Sequence, residues 1–163
     1  MSKATPIPGN TVFLRPIDDG EVEQACSWRN DPSVSHLFYR RNVAPAQMRS
    51  DIREMRSNRS GDTLAVVRSD TGDFIGTLTY SLAVHSGAAT ATLGILVGPD
   101  SARGKGYGAD AINALGAWLA SELGVNKILV EVKPGNSGAI TFYEKIGFAP
   151  RAVIMERDAD PHA

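Results

Sequence analysis

One stretch of this sequence leaves few folds open. From Ala89 an apolar run, ATATLGILVG, leads into PDSARGKGYG, then an amphipathic segment, then a second apolar run, NKILVEVKP. Strand, loop, helix, strand in that order makes the two strands parallel, joined by a right-handed crossover. The near-continuous apolar content of NKILVEVKP fits a strand covered on both faces. Between the strands, Ile112, Leu115, Leu119 and Leu123 recur on one helical face, and Gly124 is placed to end the helix. Ligands of such sheets sit at the carboxyl ends of the parallel strands. There stand three alternating glycines, 104, 106 and 108, flanked by Arg103 and Lys105.

The flanking regions supply the rest of the sheet. TVFLRPI (Thr11 to Ile17) predicts a short strand, and Asp18 and Asp19 can cap a helix running to about Trp28, stopped by NDP. Met48, Ile52 and Met55, spaced by four and three, predict a second helix. DTLAVVRSD, the turn DTGD and FIGTLTYSLAV form a hairpin, which ATATLGILVG extends into an antiparallel meander. NSGAITFYEKIGF is a short helix ended by Gly147, and AVIMER a last strand. The expected architecture is a single α/β (α+β) domain over residues 10–157. Its central sheet is mixed and mostly antiparallel, with helices on both faces and one parallel β-α-β unit. Residues 1–9 and 158–163 are expected to be flexible ends.

Composition removes several functions. Seventeen basic against eighteen acidic residues leave a net charge of -1, which gives nucleic acid no electrostatic footprint. Arg49, Arg53, Arg56 and Arg59 recur at helical spacing and read as a solvated helix face. Cys26 is the only cysteine, and no zinc-like spacing exists, so no metal is expected. It has no histidine nearby in sequence and reads as a small buried residue. MSKATPIPGN has no apolar signal segment and no window reaches membrane-span length. A cytoplasmic protein without membrane contact is therefore expected.

What the glycine loop holds is the functional question. A P-loop needs G-x-x-x-x-G-K-[ST]. Here Gly98 lies one residue too far from Gly104, and Gly106 stands where the metal-binding hydroxyl belongs. GKGYGA formally satisfies a dinucleotide fingerprint, but that motif begins at the strand end, and five residues intervene here. The third pattern, Arg-Gly-x-Gly-x-Gly opening a helix, turns the amides of 104 to 108 into one concavity that favours a phosphate.

ARGKGYGADAI resembles the acetyl-CoA pyrophosphate loop of the GNAT N-acetyltransferases, Arg/Gln-x-x-Gly-x-Gly/Ala, with Arg103, Gly106 and Gly108 in its fixed positions. GVNKILVEVKPGNSGAITFYEKIGF resembles that family's next strand and helix, and VFLRPIDDGEVEQACSWRNDP extends the likeness over nearly the whole chain. The resemblance implies acetyl-CoA as co-substrate and a GNAT fold. The pantetheine arm would pair with the backbone of Leu96 and Val97. The pyrophosphate would lie on the amides of Arg103, Gly104, Lys105, Gly106, Tyr107 and Gly108. The side chains of Arg103 and Lys105 either add charge there or are simply solvated.

The implied reaction is direct attack of an amine on the thioester. It needs a proton acceptor for the amine, a donor to the thioester oxygen and an acid for the thiolate. A backbone amide near Val97 suits the second task. Tyr143 matches the family tyrosine and suits the third, and with Ile140 and Ile146 it also shares a packing face. Glu131 matches the glutamate of members that acetylate protein N-termini. It is either the base or a strand carboxylate paired with a neighbouring lysine. Asn136 is either a contact to the cofactor arm or the N-cap of the last helix.

The acceptor is implied less closely. The family's acceptor region corresponds to SVSHLFYRRN and the preceding helix end. Trp28, Phe38, Tyr39, Arg40 and Arg41 either stack on and pair with an acceptor or pack onto the core. WRNDP resembles members that acetylate amino sugars, and LRP resembles the ribosomal-protein type. The expected acceptor is the primary amine of a small polar molecule, an amino sugar or amino-acid-like metabolite. Two rivals are a protein amino terminus and a non-catalytic acetyl-CoA-binding regulatory role. Only fifteen residues follow Gly147-Phe148. An acceptor site that is open, or completed by a second subunit in a homodimer, is therefore expected.

Overall fold

A computed structural model describes residues 5–38, 42–85, 87–153, 155, 157 and 159. They divide into two compact units, Met1–Lys133 and Pro134–Ala163.

The first unit holds one six-stranded sheet: β1 (Ile7–Pro8), β2 (Val12–Pro16), β3 (Gly61–Arg68), β4 (Phe74–His85), β5 (Ala88–Val97) and β6 (Lys127–Val130). The strands lie side by side in sequence order. Every neighbour is antiparallel except β5 and β6, which pair in parallel. Between β2 and β3 come α1 (Asp19–Asn30), the single turn α2 (Pro32–Ser35) and α3 (Pro45–Asn58). A 3-10 turn (Asp100–Ala102) and α4 (Tyr107–Leu123) join β5 to β6. The mixed sheet and its single β-α-β unit are as expected.

Alternation along the strands sorts two cores. On one face Ala65 and Val67 pack with Val22, Ala25 and Cys26 of α1 and Ile52 of α3, joined by Phe13, Met48 and Met55. Cys26 belongs to this core. Its Sγ lies 3.8 Å from Met48 Sδ, and burial pushes the thiol pKa up, which leaves it inert. On the opposite face Val12, Leu14, Val66 and Leu78 are fully or almost fully buried, as are Leu115 and Leu119 of α4. Trp118 meets Tyr80 edge-on at 6.2 Å, which places α4 on this face. Helices therefore cover both faces within this unit.

Several expectations are corrected. Residues 1–9 are not all a loose end, because Ile7–Pro8 forms a strand on Phe13–Leu14 and Ile7 is buried. β6 ends at Val130, so Glu131 lies beyond the strand and is exposed. Leu123 is 42% exposed, one turn past the buried stripe. The arginines of α3 are not merely solvated. Arg49 pairs with Glu23 and Arg56 with Asp62, at 2.7 Å for the latter.

The second unit is built on α5 (Ser137–Lys145). Asn136 caps it, accepting from Ala139 N–H at 3.2 Å. Gly147, at φ 100°, turns the chain out of the helix so that Phe148 N–H reaches Tyr143 C=O at 3.0 Å. The described residues of AVIMER are not in a strand; Ile154 and Glu156 lie outside the described residues.

Candidate active site

The glycine loop leaves the end of β5 under side-chain control. Arg103 Nε donates to Val97 C=O at 2.9 Å, and its NH2 donates to Gly98 C=O at 2.8 Å. NH1 pairs with Asp100 at 2.7 Å. Arg103 is thus a brace across the strand end and the following turn. The guanidinium is therefore not simply solvated.

After Arg103 the backbone turns left-handed at Gly104 (φ 71°) and Gly106 (φ 87°). A side chain is strained at such angles. A Cβ on either glycine would meet nothing within 4 Å, so the requirement inside the protein is conformational and the space in front is open. Gly106 is the N-cap of α4 and supplies no side chain to its amides. From Gly104 to Ala109 no amide meets an acceptor among the described residues; the first that does is Asp110, which donates to Gly106 C=O at 3.1 Å. Unsatisfied amides at a helix start carry partial positive charge directed at one spot. Lys105 is exposed beside them. Tyr107 lies under the Arg68 guanidinium, 5.3 Å from its ring centroid.

The neighbouring edge of β5 is also open. The β5–β6 ladder stops at Leu93 opposite Val130. Gly98 N–H bonds Ile75 C=O at 2.8 Å, and by alternation Leu96 exchanges both its main-chain bonds with Thr77. Ile95 and Val97 therefore point their amides toward the position that β6 has vacated. The main chain of Leu96, expected to face outward, is thus turned to β4, and that of Ile95 faces the vacated side. The parity of the ladder held this signal, but the sequence does not print the register.

On the face opposite α4, the register lines up Thr63, Thr79 and Gly94 across three strands. The Thr63 and Thr79 hydroxyls lie 2.9 Å apart. Gly94 is exposed although its strand is internal, and a Cβ there would meet nothing. A pair of hydroxyls and an empty position thus follow one another toward the open edge.

The glycine loop, Val97, Gly94 and Glu131 all belong to the first unit. Trp28 packs on Phe74 with ring centroids 5.0 Å apart and lies against Gly98, where a Cβ would collide with the indole. Phe38 carries the Arg29 guanidinium over its ring at 4.4 Å. Tyr39, Arg40 and Arg41 lie outside the described residues. Asn136 and Tyr143 belong to the second unit. There Tyr143 is half-buried, with Phe142 and Phe148 edge-on at 5.1 and 5.4 Å. Burial raises its phenol pKa, so the proton is retained. No group of His, Cys, Asp and Glu among the described residues can hold a metal, and no described helix is long and apolar enough to cross a membrane.

Comparison with known proteins identifies the family and the fold. Residues 11–149 match the family model described as an acetyltransferase (GNAT) domain. An N-acetyltransferase 9-like protein of Caenorhabditis elegans is 24% identical over 131 residues. That match takes in 80% of this chain but only 57% of the relative's length. The structure resembles that of spermidine N-acetyltransferase from Vibrio cholerae in complex with CoA and spermine. The TM-score is 0.76 at 18% identity, over 90% of this chain and 86% of the other. It also resembles ribosomal-protein-S5-alanine acetyltransferase from Vibrio fischeri, with a TM-score of 0.71 at 18% identity over 89% and 83% of the chains.

Proposed function

Because this chain belongs to the GNAT acetyltransferase family, we propose that it transfers the acetyl group of acetyl-CoA to the primary amine of a small polar acceptor. The observation that carries this reading is the row of unpaired amides from Gly104 to Ala109 beside the open edge of β5. The loop amides suit a pyrophosphate, with Lys105 adding charge. The edge suits an extended amide-bearing arm, which pairs as an added strand with Ile95 and the Val97 amide.

Each chemical task then has an assigned group. Glu131 takes a proton from the acceptor ammonium, directly or through water, so that the amine lone pair is free. The amine adds to the thioester carbon while the Val97 amide supports the carbonyl oxygen. The carbon–sulfur bond breaks, Tyr143 gives its proton to the departing thiolate, and the surplus proton on the new amide nitrogen passes through water to restore the phenol. The elevated phenol pKa keeps that proton available at neutral pH. The hydroxyl of Thr79 and the empty position at Gly94 favour a small, hydrogen-bonding acceptor. The spermidine enzyme among the structural neighbours supports a small amine. The ribosomal-protein enzyme makes a protein amino terminus the alternative. In either case a cytoplasmic setting and a homodimer remain part of the proposal.

The test is thiol release from acetyl-CoA over a panel of polyamines, amino sugars, amino acids and short peptides. Turnover with small amines is expected, and Glu131→Gln and Tyr143→Phe should each lower kcat by roughly a hundredfold. Turnover confined to peptides would give the alternative. CoA binding without turnover, unchanged by both substitutions, would make the chain a regulatory acetyl-CoA-binding protein.

A further inference from the structure

The cradle at the start of α4 is held from outside by a carboxylate that none of the assigned chemistry uses. Asp110 lies one turn into α4, and its side chain turns back to the hairpin between β1 and β2. Oδ1 accepts from Asn10 N–H at 2.9 Å. Oδ2 accepts from Thr11 N–H at 2.8 Å, Val12 N–H at 3.0 Å and the Thr11 hydroxyl at 3.1 Å. Gly9 makes this possible, because a Cβ there would lie 2.6 Å from Oδ2. Burial alone would raise the carboxyl pKa, but the donated hydrogen bonds outweigh it and hold the pKa low.

The second tie reaches the same turn from the next strand. Arg68 stands opposite Val12 in the β2–β3 register and covers the Tyr107 ring. Its own guanidinium is fixed by Asp70, at 2.6 Å. The first turn of α4 is therefore fastened at Tyr107 and at Asp110 to one end of two paired strands. The amides of residues 107 to 109 lie between these points.

We propose that Asp110 is a positioning residue for CoA: it locks the amide cradle in its binding geometry and does not itself touch the ligand. This rests on the assignment of the glycine loop to the pyrophosphate. A carboxylate in the first turn would otherwise repel an anion placed at the same helix end. The hairpin amides absorb that charge and turn it away from the cradle. A clamp of this kind also stores no strain in the ligand. It lowers the ordering cost that binding would otherwise carry.

The experiment compares wild type with Asp110→Ala, Asp110→Asn and the distant ion-pair control Asp62→Ala, well below their melting temperatures. CoA affinity is measured by calorimetry, and KM for acetyl-CoA and kcat with an accepted amine. Asp110→Ala is expected to raise CoA Kd and acetyl-CoA KM roughly tenfold with kcat within about twofold. Asp110→Asn, which keeps one acceptor oxygen but sets an NH2 against backbone donors, should fall between. Asp62→Ala should lower the melting temperature alone. A folded Asp110 variant that melts earlier but binds CoA within about twofold of wild type overturns the proposal and leaves a structural role only. If Asp110→Ala does not fold, Asp110→Asn decides by the same criterion. Failure of the wild-type chain to bind CoA overturns the glycine-loop assignment and the proposal together, and is seen before any variant is made.

Discussion

Helices α1 and α4 begin in opposite ways. At α1, Glu21 in the first turn folds back and accepts the amide of Asp18 at 3.0 Å. Arg15 then grips the same carboxylate with both terminal nitrogens, at 2.7 and 2.9 Å. The helix start is closed by its own side chains. At α4 the cap is a left-handed glycine, and the only first-turn acid, Asp110, is engaged with the β1–β2 hairpin. Its amides are left facing outward. A helix end satisfied from within contributes stability, whereas one left open is suited to an anion from outside. The contrast separates a terminus satisfied from within from one left open, without reference to any relative.

The largest expected effect comes from spoiling the open terminus. Gly106→Val places a β-branched residue at φ 87°, where strain is about 1–3 kcal/mol, and projects a side chain into the cradle. CoA affinity should fall by roughly a hundredfold, read by calorimetry, with a lower melting temperature but an intact circular dichroism spectrum. An affinity unchanged by this substitution would mean that the cradle is not the pyrophosphate site.

Spoiling the closed terminus should do the reverse. Glu21→Ala removes the cap and the Arg15 fork and should cost about 1–2 kcal/mol in denaturant melts, with CoA affinity unchanged. The same pair predicts an acid response. The Arg15 hydrogen bond, first, and the Asp18 amide hold the Glu21 pKa below its ordinary 4.5 against the opposing effect of burial. Its contribution is therefore complete above about pH 4.5 and is lost as pH falls through the lowered native value. Wild type should lose more stability than Glu21→Ala over that interval. Parallel acid melts would refute the pairing.

The smallest effect belongs to Lys105. As an exposed cation beside the open amides, its replacement by alanine should weaken CoA binding by only about two- to fourfold, and less at high salt. A loss as large as that of Gly106→Val would shift the main anion contact from backbone to side chain.

Much of this contrast was legible beforehand. Asp18 before an apolar-periodic run marks a helix start, and Gly124 marks a helix end, because both signals are local. The β-α-β unit was equally legible, since a strand, a helix and a strand in that order have one common handedness. Glycines 104 and 106 also announced themselves, and the left-handed backbone at both is a reason for them that needs no ligand. Arg103 was legible as important but not as a brace, because its partners are carbonyls, which every residue has.

The other misreadings share a cause. Pattern alone puts Glu131 inside a strand, because NKILVEVKP keeps its apolar pattern past Val130, where pairing stops. Outward pairing of Leu96 is not excluded by the sequence, which carries strand identity but not register parity, and a shift of one residue exchanges Leu96 for Ile95. AVIMER has the composition of a strand, but its described residues are not in one, and composition alone does not supply the pairing that a strand needs.

By itself, the sequence determined the elements whose causes are local: periodic faces, caps, left-handed glycines and the one parallel crossover. From these and the two spaced motifs, the family also followed. Only the tertiary structure decided which main-chain groups remain unpaired at the end of β5, that Gly94 is an empty position in a row of hydroxyls, and that Asp110 reaches the amides of residues 10–12. Those facts depend on register and on contacts between residues about a hundred positions apart. No local propensity encodes such contacts, because each partner's chemistry is ordinary until the fold brings the two together.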